Sequence, residues 1–107
     1  AEHPSLCSDT VSAIRVPADV DARDVIRIAY EDYNTSLGTG LARLAGKVFR
    51  IGHLGDLNEG MCLTALGVTE LALSRAGVAV PFGAGVGAAQ AWFAETAATP
   101  ALRVAAE

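Results

Sequence analysis

The segment that most constrains the fold is Val48–Ile51, a short run of strand-forming residues between two glycines. Successive side chains of a strand point to opposite faces. Phe49 and Ile51 therefore share one face, and Val48 and Arg50 share the other. If the apolar pair Phe49 and Ile51 faces helices, Arg50 must point away from the core. The segment predicts a two-layer domain with a cation on the face that the helices do not cover.

The first half of the chain supplies the elements that can pack against this strand. Thr10–Val16 is rich in β-branched residues and stops at a proline, which predicts a strand. Asp21 is a good helix N-cap, and apolar residues recur at helical spacing through Ala22–Tyr33. A short strand near Thr35–Leu37 and a mobile glycine-rich loop are expected next.

The second half is predicted to be mostly helical. Asp56 and Glu59 form an aspartate version of the capping box at the start of a helix over Leu57–Ala76. Gly77 follows that helix, at the position where a left-handed residue often ends one.

The last third predicts an apolar edge strand at Val78–Pro81 and a helix of small residues at Gly85–Ala97, and the tail after Pro100 is helical or frayed. Taken in order, the elements predict an α+β fold. Its small antiparallel or mixed sheet has helices packed on one face. The other face is solvated or covered by something else.

Composition limits the size of the core and the kinds of partner. A chain of 107 residues fits one domain with one modest core. Hydrophobic residues make up 51% and aromatic residues 6%, so aliphatic side chains must fill the core, with Trp92 and three phenylalanines as large fillers. The net charge is −4 and the basic residues are scattered, which disfavours nucleic-acid binding. No apolar run approaches the roughly 20 residues that span a bilayer.

The cysteines and the amino terminus bear on the compartment. Cys7 and Cys62 lack the spacing of a zinc site or a disulfide framework, and reduced thiols in a cytoplasmic protein are expected. The first residues lack the features of a signal peptide. They also lack an initiator methionine, and we therefore expect a processed chain or an excised fragment.

Two glycine-rich segments resemble phosphate-binding motifs only superficially. Gly40–Lys47 has five residues between its glycines where a P-loop has four, and no hydroxyl residue follows the lysine. Gly83–Ala88 matches the letters of a dinucleotide fingerprint, but Pro81 interrupts the strand that should precede it. A glycine-rich turn before a tightly packed helix explains the second segment better.

Polar side chains give no catalytic or metal site by themselves. His53 and Asp56 are three residues apart, but a metal needs more ligands than two. We therefore expect no metal. Lys47 is the only lysine, and nothing nearby predicts the desolvated pocket that would activate it.

One segment carries a recognisable family pattern, in which a strand with an arginine leads through Ile-Gly-His into a capped helix: Gly46-Lys47-Val48-Phe49-Arg50-Ile51-Gly52-His53-Leu54-Gly55-Asp56-Leu57-Asn58-Glu59. It resembles the carboxy-terminal small domain of class V (fold type I) pyridoxal-phosphate aminotransferases, and the serine–glyoxylate and alanine–glyoxylate enzymes most closely. The upstream run Tyr33–Leu41 resembles the same family, and the similarity extends over about residues 10 to 80.

The resemblance implies that Arg50 binds the substrate carboxylate. A guanidinium holds a carboxylate with two parallel hydrogen bonds, which fixes its orientation as well as neutralising its charge. The resemblance also places His53, Gly38 and Gly40 as possible lining of the active site. No catalytic residue is expected in the fragment.

The rest of the enzyme follows from the same resemblance. It implies pyridoxal 5′-phosphate as cofactor, bound mainly by a large domain of the same chain that is absent from residues 1–107. It implies amino-acid and 2-oxo-acid substrates, with serine or alanine donating to glyoxylate, and a homodimer. Class V also contains desulfurases and phosphoserine aminotransferases, so the reaction type stays open. The alternative is a stand-alone α+β binding or assembly module without catalytic activity.

Overall fold

The computed structural model describes residues 3–97. In chain order the elements are β1 (Val11–Arg15), α1 (Ala22–Tyr33), β2 (Gly38–Thr39), β3 (Val48–Gly52), α2 (Glu59–Arg75) and α3 (Ala84–Ala97). Short 3₁₀ turns occupy Pro4–Leu6 and Ala42–Leu44. The prediction for the tail after Pro100 lies outside the described residues.

The sheet is antiparallel and has three strands in the order β1-β3-β2, so β3 is central. Helices α1 and α2 pack together, and α1 also contacts β2 and β3. The predicted α+β class, with a small sheet covered by helices on one face, is confirmed.

The core lies between this sheet and the helices. Its buried residues are Val16, Ala22, Val25, Ile28, Ala29, Leu37, Phe49 and Ala72. Phe49 and Val25 are its largest fully buried side chains. Ile51 packs against the same cluster, which confirms that Phe49 and Ile51 face the helices. Val48 is also buried, but it lies outside that cluster.

Helix α1 has the predicted bounds and the predicted cap. The Asp21 carboxylate accepts a hydrogen bond from the Arg23 backbone N–H at 2.9 Å. At the other end Asn34 adopts the left-handed conformation with φ of 51°, and its N–H bonds to the carbonyls of Ala29 and Tyr30. The apolar stripe of the helix therefore meets the sheet at fixed positions.

The predicted start of α2 is wrong by two residues. The cap is Asn58, whose side chain accepts from the Met61 N–H at 2.8 Å, and not Asp56. Gly55, with φ of 97°, makes a turn that Leu57 N–H closes onto the Gly55 carbonyl at 2.9 Å. Helical geometry can begin only after that turn.

The predicted end of α2 at Gly77 is confirmed. Gly77 has φ of 100°, its N–H bonds to the Ser74 carbonyl, and the Val78 N–H bonds to the Leu73 carbonyl. These two bonds are the pattern of a Schellman motif. Because Val78 N–H completes the helix end and Pro81 has no N–H, the predicted edge strand at Val78–Pro81 is wrong and the segment is irregular.

The predicted strand at Thr35–Leu37 is also displaced. The Thr35 N–H bonds to the Ala29 carbonyl, so it still belongs to the end of α1. Pairing with β3 starts at Gly38 and includes two residues. The glycine-rich segment that follows contains the 3₁₀ turn Ala42–Leu44.

Helix α3 matches its predicted position but packs at the periphery, mainly against α2. Trp92 and Phe82 are each 63% exposed, so the expectation that they fill the core is wrong. The carboxylate of Glu70 on α2 anchors the start of α3. It accepts from the backbone N–H groups of Gly83 at 2.8 Å, Gly85 at 2.9 Å and Val86 at 3.2 Å.

We predict that Glu70→Gln lowers the melting temperature of the chain at neutral pH, because the charged acceptor at the start of α3 is lost. The backbone hydrogen bonds, that of Gly83 first, hold the pKa of Glu70 below its ordinary value of 4.5. The stabilisation is therefore present above pH 4.5 and lost as the pH falls through the lower folded-state pKa.

Thermal unfolding followed by circular dichroism at neutral and at acidic pH tests this. The matched control is Glu95→Gln, which removes the same charge from an exposed residue of α3. A difference between wild type and Glu70→Gln that stays constant down to strongly acidic pH would contradict the assignment.

Candidate functional site

The candidate site is the sheet face opposite the helices, with Arg50 at its centre. Arg50 lies on the central strand, and its register partners are Ala13 on β1 and Gly38 on β2. Opposite residues of an antiparallel pair share one face of the sheet. Arg50 therefore stands between an alanine and a glycine, and its half-buried side chain has no tall neighbour directly across either strand pair.

The position of Arg50 follows from the burial of its neighbour Phe49. Phe49 is fully buried, and strand alternation then directs residue 50 to the opposite face. The predicted orientation of Arg50, away from the core, agrees with the observed register. The guanidinium is thus carried by the strand that both edge strands hold in place.

One hydrogen bond orients the Arg50 side chain. Its Nε–H donates to the backbone carbonyl of Thr39 at 2.8 Å. None of the ion pairs formed within residues 3–97 involves Arg50. The arginines at positions 23, 27 and 75, by contrast, each pair with a carboxylate. In the described part of the chain the terminal nitrogens of Arg50 are therefore available to an external anion.

Gly40 has a structural reason to be glycine. It is buried, and its N–H donates to the Val48 carbonyl at 3.1 Å. A Cβ atom at this position would overlap the Leu44 carbonyl oxygen and lie 2.8 Å from the Leu44 carbonyl carbon. Gly40 thus lets the 3₁₀ turn fold tightly against the start of β3. Its predicted place in the lining of an active site stays a prediction.

His53 lies just beyond the end of β3. Its Nε2 is 3.0 Å from the Ser12 hydroxyl, and its backbone N–H bonds to the Thr10 carbonyl at 2.8 Å. It lines a largely apolar cavity of about 400 Å³ together with residues of the helix-facing side, among them Ile14, Ile51 and Leu66. The structure therefore groups His53 with this cavity and not with Arg50. Its predicted role at the substrate stays a prediction.

The other polar candidates from the sequence form no reactive cluster. Lys47 is exposed, and its backbone carbonyl accepts from the Val16 N–H at 3.1 Å. Within residues 3–97 no group of three or more His, Cys, Asp or Glu residues could hold a metal ion. Cys7 and Cys62 are both free thiols. None of the helices in the described range is long and apolar enough to cross a membrane.

The sequence predicted that Arg50 points away from the core, but it did not predict the contact that orients the side chain. The Thr39 carbonyl belongs to a strand of two residues, and no side-chain pattern marks a backbone acceptor. The only sequence signal near it is the spacing of glycines at positions 38 and 40.

No family model matches the chain. Its sequence is nevertheless similar to curated aminotransferases. It is 50% identical over 97 residues to serine–glyoxylate aminotransferase of Hyphomicrobium methylovorum, an alignment that covers 91% of this chain and 24% of that protein. It is 44% identical over 105 residues to L-aspartate–glyoxylate aminotransferase of Paracoccus denitrificans, covering 98% of this chain and 26% of the relative.

A solved structure shares the fold. Pyridoxamine–pyruvate aminotransferase from Mesorhizobium loti superposes with a TM-score of 0.78 and 31% sequence identity, over 83% of this chain and 23% of that one. The chain thus spans about a quarter of the length of the curated relatives that it matches.

We predict that Gly40→Ala destabilises the chain by about 1–3 kcal/mol, the usual cost of forcing a methyl group into a space already filled. Its new methyl group would collide with backbone atoms of residue 44, which cannot rotate away. Denaturant unfolding measures the change. Gly52→Ala is the matched control, because a Cβ atom there would meet nothing within 4 Å in the described part of the chain. Equal free energies of unfolding for the two variants would contradict the prediction, because the 3₁₀ turn would then move aside at little cost.

Proposed function

Because the chain is a homologue of glyoxylate aminotransferases, a group of class V pyridoxal-phosphate enzymes, we propose that it is the substrate-carboxylate-binding small domain of such an enzyme. The proposal rests on the surroundings of Arg50, a half-buried residue of the central strand. Its Nε–H donates to the Thr39 carbonyl, and its guanidinium has no carboxylate partner within residues 3–97.

The chemistry of transamination requires such a group. The substrates are amino acids and 2-oxo acids, and both carry a carboxylate beside the carbon that reacts. A guanidinium that holds this carboxylate by two parallel hydrogen bonds fixes the direction of the bonds at that carbon. Arg50 lies on the central strand β3, and this rigid element limits the movement of the bound carboxylate.

The residues of this chain do not themselves fit the cofactor. The only lysine, Lys47, is exposed beside a surface loop and is not enclosed in a desolvated pocket. Pyridoxal phosphate, when bound to an enzyme, supplies the electron sink for the reaction. We propose that the large domain, in the remainder of the full-length enzyme, binds the cofactor. Residues 1–107 contribute Arg50, the residue that binds the substrate carboxylate.

The names of the relatives support a proposal for the donor and the acceptor. Serine and aspartate appear as amino donors in the names of the two relatives described above, and glyoxylate as acceptor in both. We propose glyoxylate as acceptor, and serine or alanine as donor. The names of these relatives support glyoxylate and serine, and alanine is what the family resemblance of residues 46–59 implies. The full-length enzyme is proposed to act as a homodimer in the cytoplasm, a compartment that suits the two free thiols.

We predict that Arg50→Ala in the full-length enzyme raises the KM for the amino donor and lowers kcat/KM ~30-fold or more, which corresponds to the cost of leaving a carboxylate without its charged partner. Arg50→Lys should recover only part of the loss, because an ammonium cannot form the two parallel bonds. Steady-state kinetics with varied donor and acceptor provide the measurement.

Arg27→Ala is the matched control for Arg50→Ala. Arg27 lies on α1 in the helical layer, where it pairs with Glu31 at 3.2 Å and Asp24 at 3.9 Å. Removing it deletes an equal charge on the side away from Arg50. An unchanged KM in Arg50→Ala, or an equal rise in Arg27→Ala, would remove Arg50 from the substrate site.

We also predict that the gene encodes a further domain that carries the cofactor lysine. This follows because the relatives are about four times as long as the segment that they share with this chain. Reading the open reading frame around these residues tests the prediction without any biochemistry. A frame limited to this segment would favour the alternative, a stand-alone α+β module.

A further inference from the structure

We propose that Gly38 and the Thr39 carbonyl are positioning elements that fix the Arg50 guanidinium so that it receives a carboxylate end-on, through its two terminal nitrogens. The inference rests on the proposed function of Arg50 and goes beyond it, because it states which edge of the guanidinium is used and what sets that choice.

The Thr39 carbonyl selects the edge. A guanidinium offers parallel N–H pairs along two edges, one formed by Nε with a terminal nitrogen and one formed by both terminal nitrogens. In Arg50 the Nε–H is already bound to the Thr39 carbonyl at 2.8 Å. The edge that contains Nε is therefore engaged by the protein. The terminal edge remains for the substrate.

Gly38 makes the space for this arrangement. A Cβ atom at Gly38 would lie 3.2 Å from Arg50 Cβ and 3.4 Å from Arg50 Nε. The first distance is tighter than an ordinary van der Waals contact, and the second lies at the lower limit of one. A methyl group at residue 38 would therefore press on Arg50 Cβ and shift the side chain that carries Nε. This shift would weaken the hydrogen bond from Nε to the Thr39 carbonyl.

The backbone does not demand glycine at position 38. Among the glycines of the described chain, positive φ angles occur at Gly46, Gly55, Gly77 and Gly83, and Gly38 is not among them. Gly38 instead lies in β2 and pairs with β3. Glycine at position 38 is therefore explained by the room that the Arg50 side chain needs, which a side chain at residue 38 would occupy.

The two strands beside Arg50 act on it differently. Ala13 of β1 pairs with Arg50 along the backbone, whereas the hydrogen bond of the Arg50 side chain goes to the Thr39 carbonyl of β2. The bond limits the rotamers of Arg50 before substrate arrives, so less side-chain entropy is lost on binding. Weakening this bond should reduce affinity for the carboxylate without changing the charge of the site.

The test compares Gly38→Ala with Gly87→Ala in the full-length enzyme. Within residues 3–97 a Cβ atom at Gly87, on α3, would meet nothing within 4 Å, so this control adds the same methyl group without a contact in that part of the chain. Two quantities are measured: the KM and kcat for the amino donor, and the inhibition constant of propionate, a carboxylate without an amino group. Because propionate cannot be transaminated, its inhibition constant measures how well Arg50 binds a carboxylate.

We expect Gly38→Ala to raise both the donor KM and the propionate constant about fivefold, the size of coupling usual between residues in contact, with kcat at saturation little changed. Gly87→Ala should match wild type. Unchanged constants in Gly38→Ala would overturn the proposal. Loss of the folded state in Gly38→Ala alone would also overturn it, because Gly38 would then be required for folding and not for positioning Arg50.

A double-mutant cycle with Arg50→Lys separates this inference from the proposed function. Lysine has no Nε–H beside Gly38 to be displaced, so Gly38→Ala should have little further effect in the Arg50→Lys background. An equal effect in both backgrounds would mean that Gly38 acts by another route, while Arg50 keeps its role. If Arg50→Lys alone leaves both constants unchanged, the proposed function itself fails.

Discussion

The burial of Phe49 is the contact on which the rest of this structure depends. Phe49 is fully buried on the central strand and belongs to the core formed with α1 and α2. Because side chains alternate along a strand, its burial also decides where residue 50 points. A slip of one residue in the register of β3 would turn Arg50 into the core and Phe49 outwards. The free-energy cost of burying the guanidinium and exposing Phe49 keeps the register, and with it the position of Arg50, fixed.

The helical layer protects this arrangement by filling the space above Phe49 with small and β-branched residues. Ala22, Val25 and Ala29 on α1 are fully buried, and Ala72 of α2 joins them. Small side chains allow the helices to approach the sheet closely. The edge strands then hold β3 from both sides, so the guanidinium is carried by an element with little freedom to move.

Residues 3–97 leave considerable apolar surface open. Trp92 and Phe82 are largely exposed, and an apolar cavity lies between α2 and the end of the sheet. Exposed patches of this kind often mark surfaces that other polypeptide covers. They support the proposal that the chain is one part of a larger enzyme, as does the quarter of the relatives' length that it spans.

Local signals in the sequence predicted much of the fold. The Asp21 cap, the apolar stripe of α1, the alternation in β3 and Gly77 each depend on residues close together in the chain, and each is observed. The direction of Arg50 followed from the same alternation. The errors in the bounds of α2 and of two strands arose where neighbouring residues offered more than one way to satisfy the backbone N–H groups. Asn58 and not Asp56 caps α2, and Thr35 and Val78 donate to helix ends and not to strands.

Sequence alone therefore determined the α+β class, most helix and strand positions and the face on which Arg50 lies, because these depend on periodicity and on capping chemistry. Only the tertiary structure decided that β3 is central, that Gly38 faces Arg50, that the Thr39 carbonyl binds its Nε, and that His53 sits beside Ser12. Those contacts join residues up to 41 positions apart. Their pairing is set by how the core packs, and no short stretch of sequence encodes it.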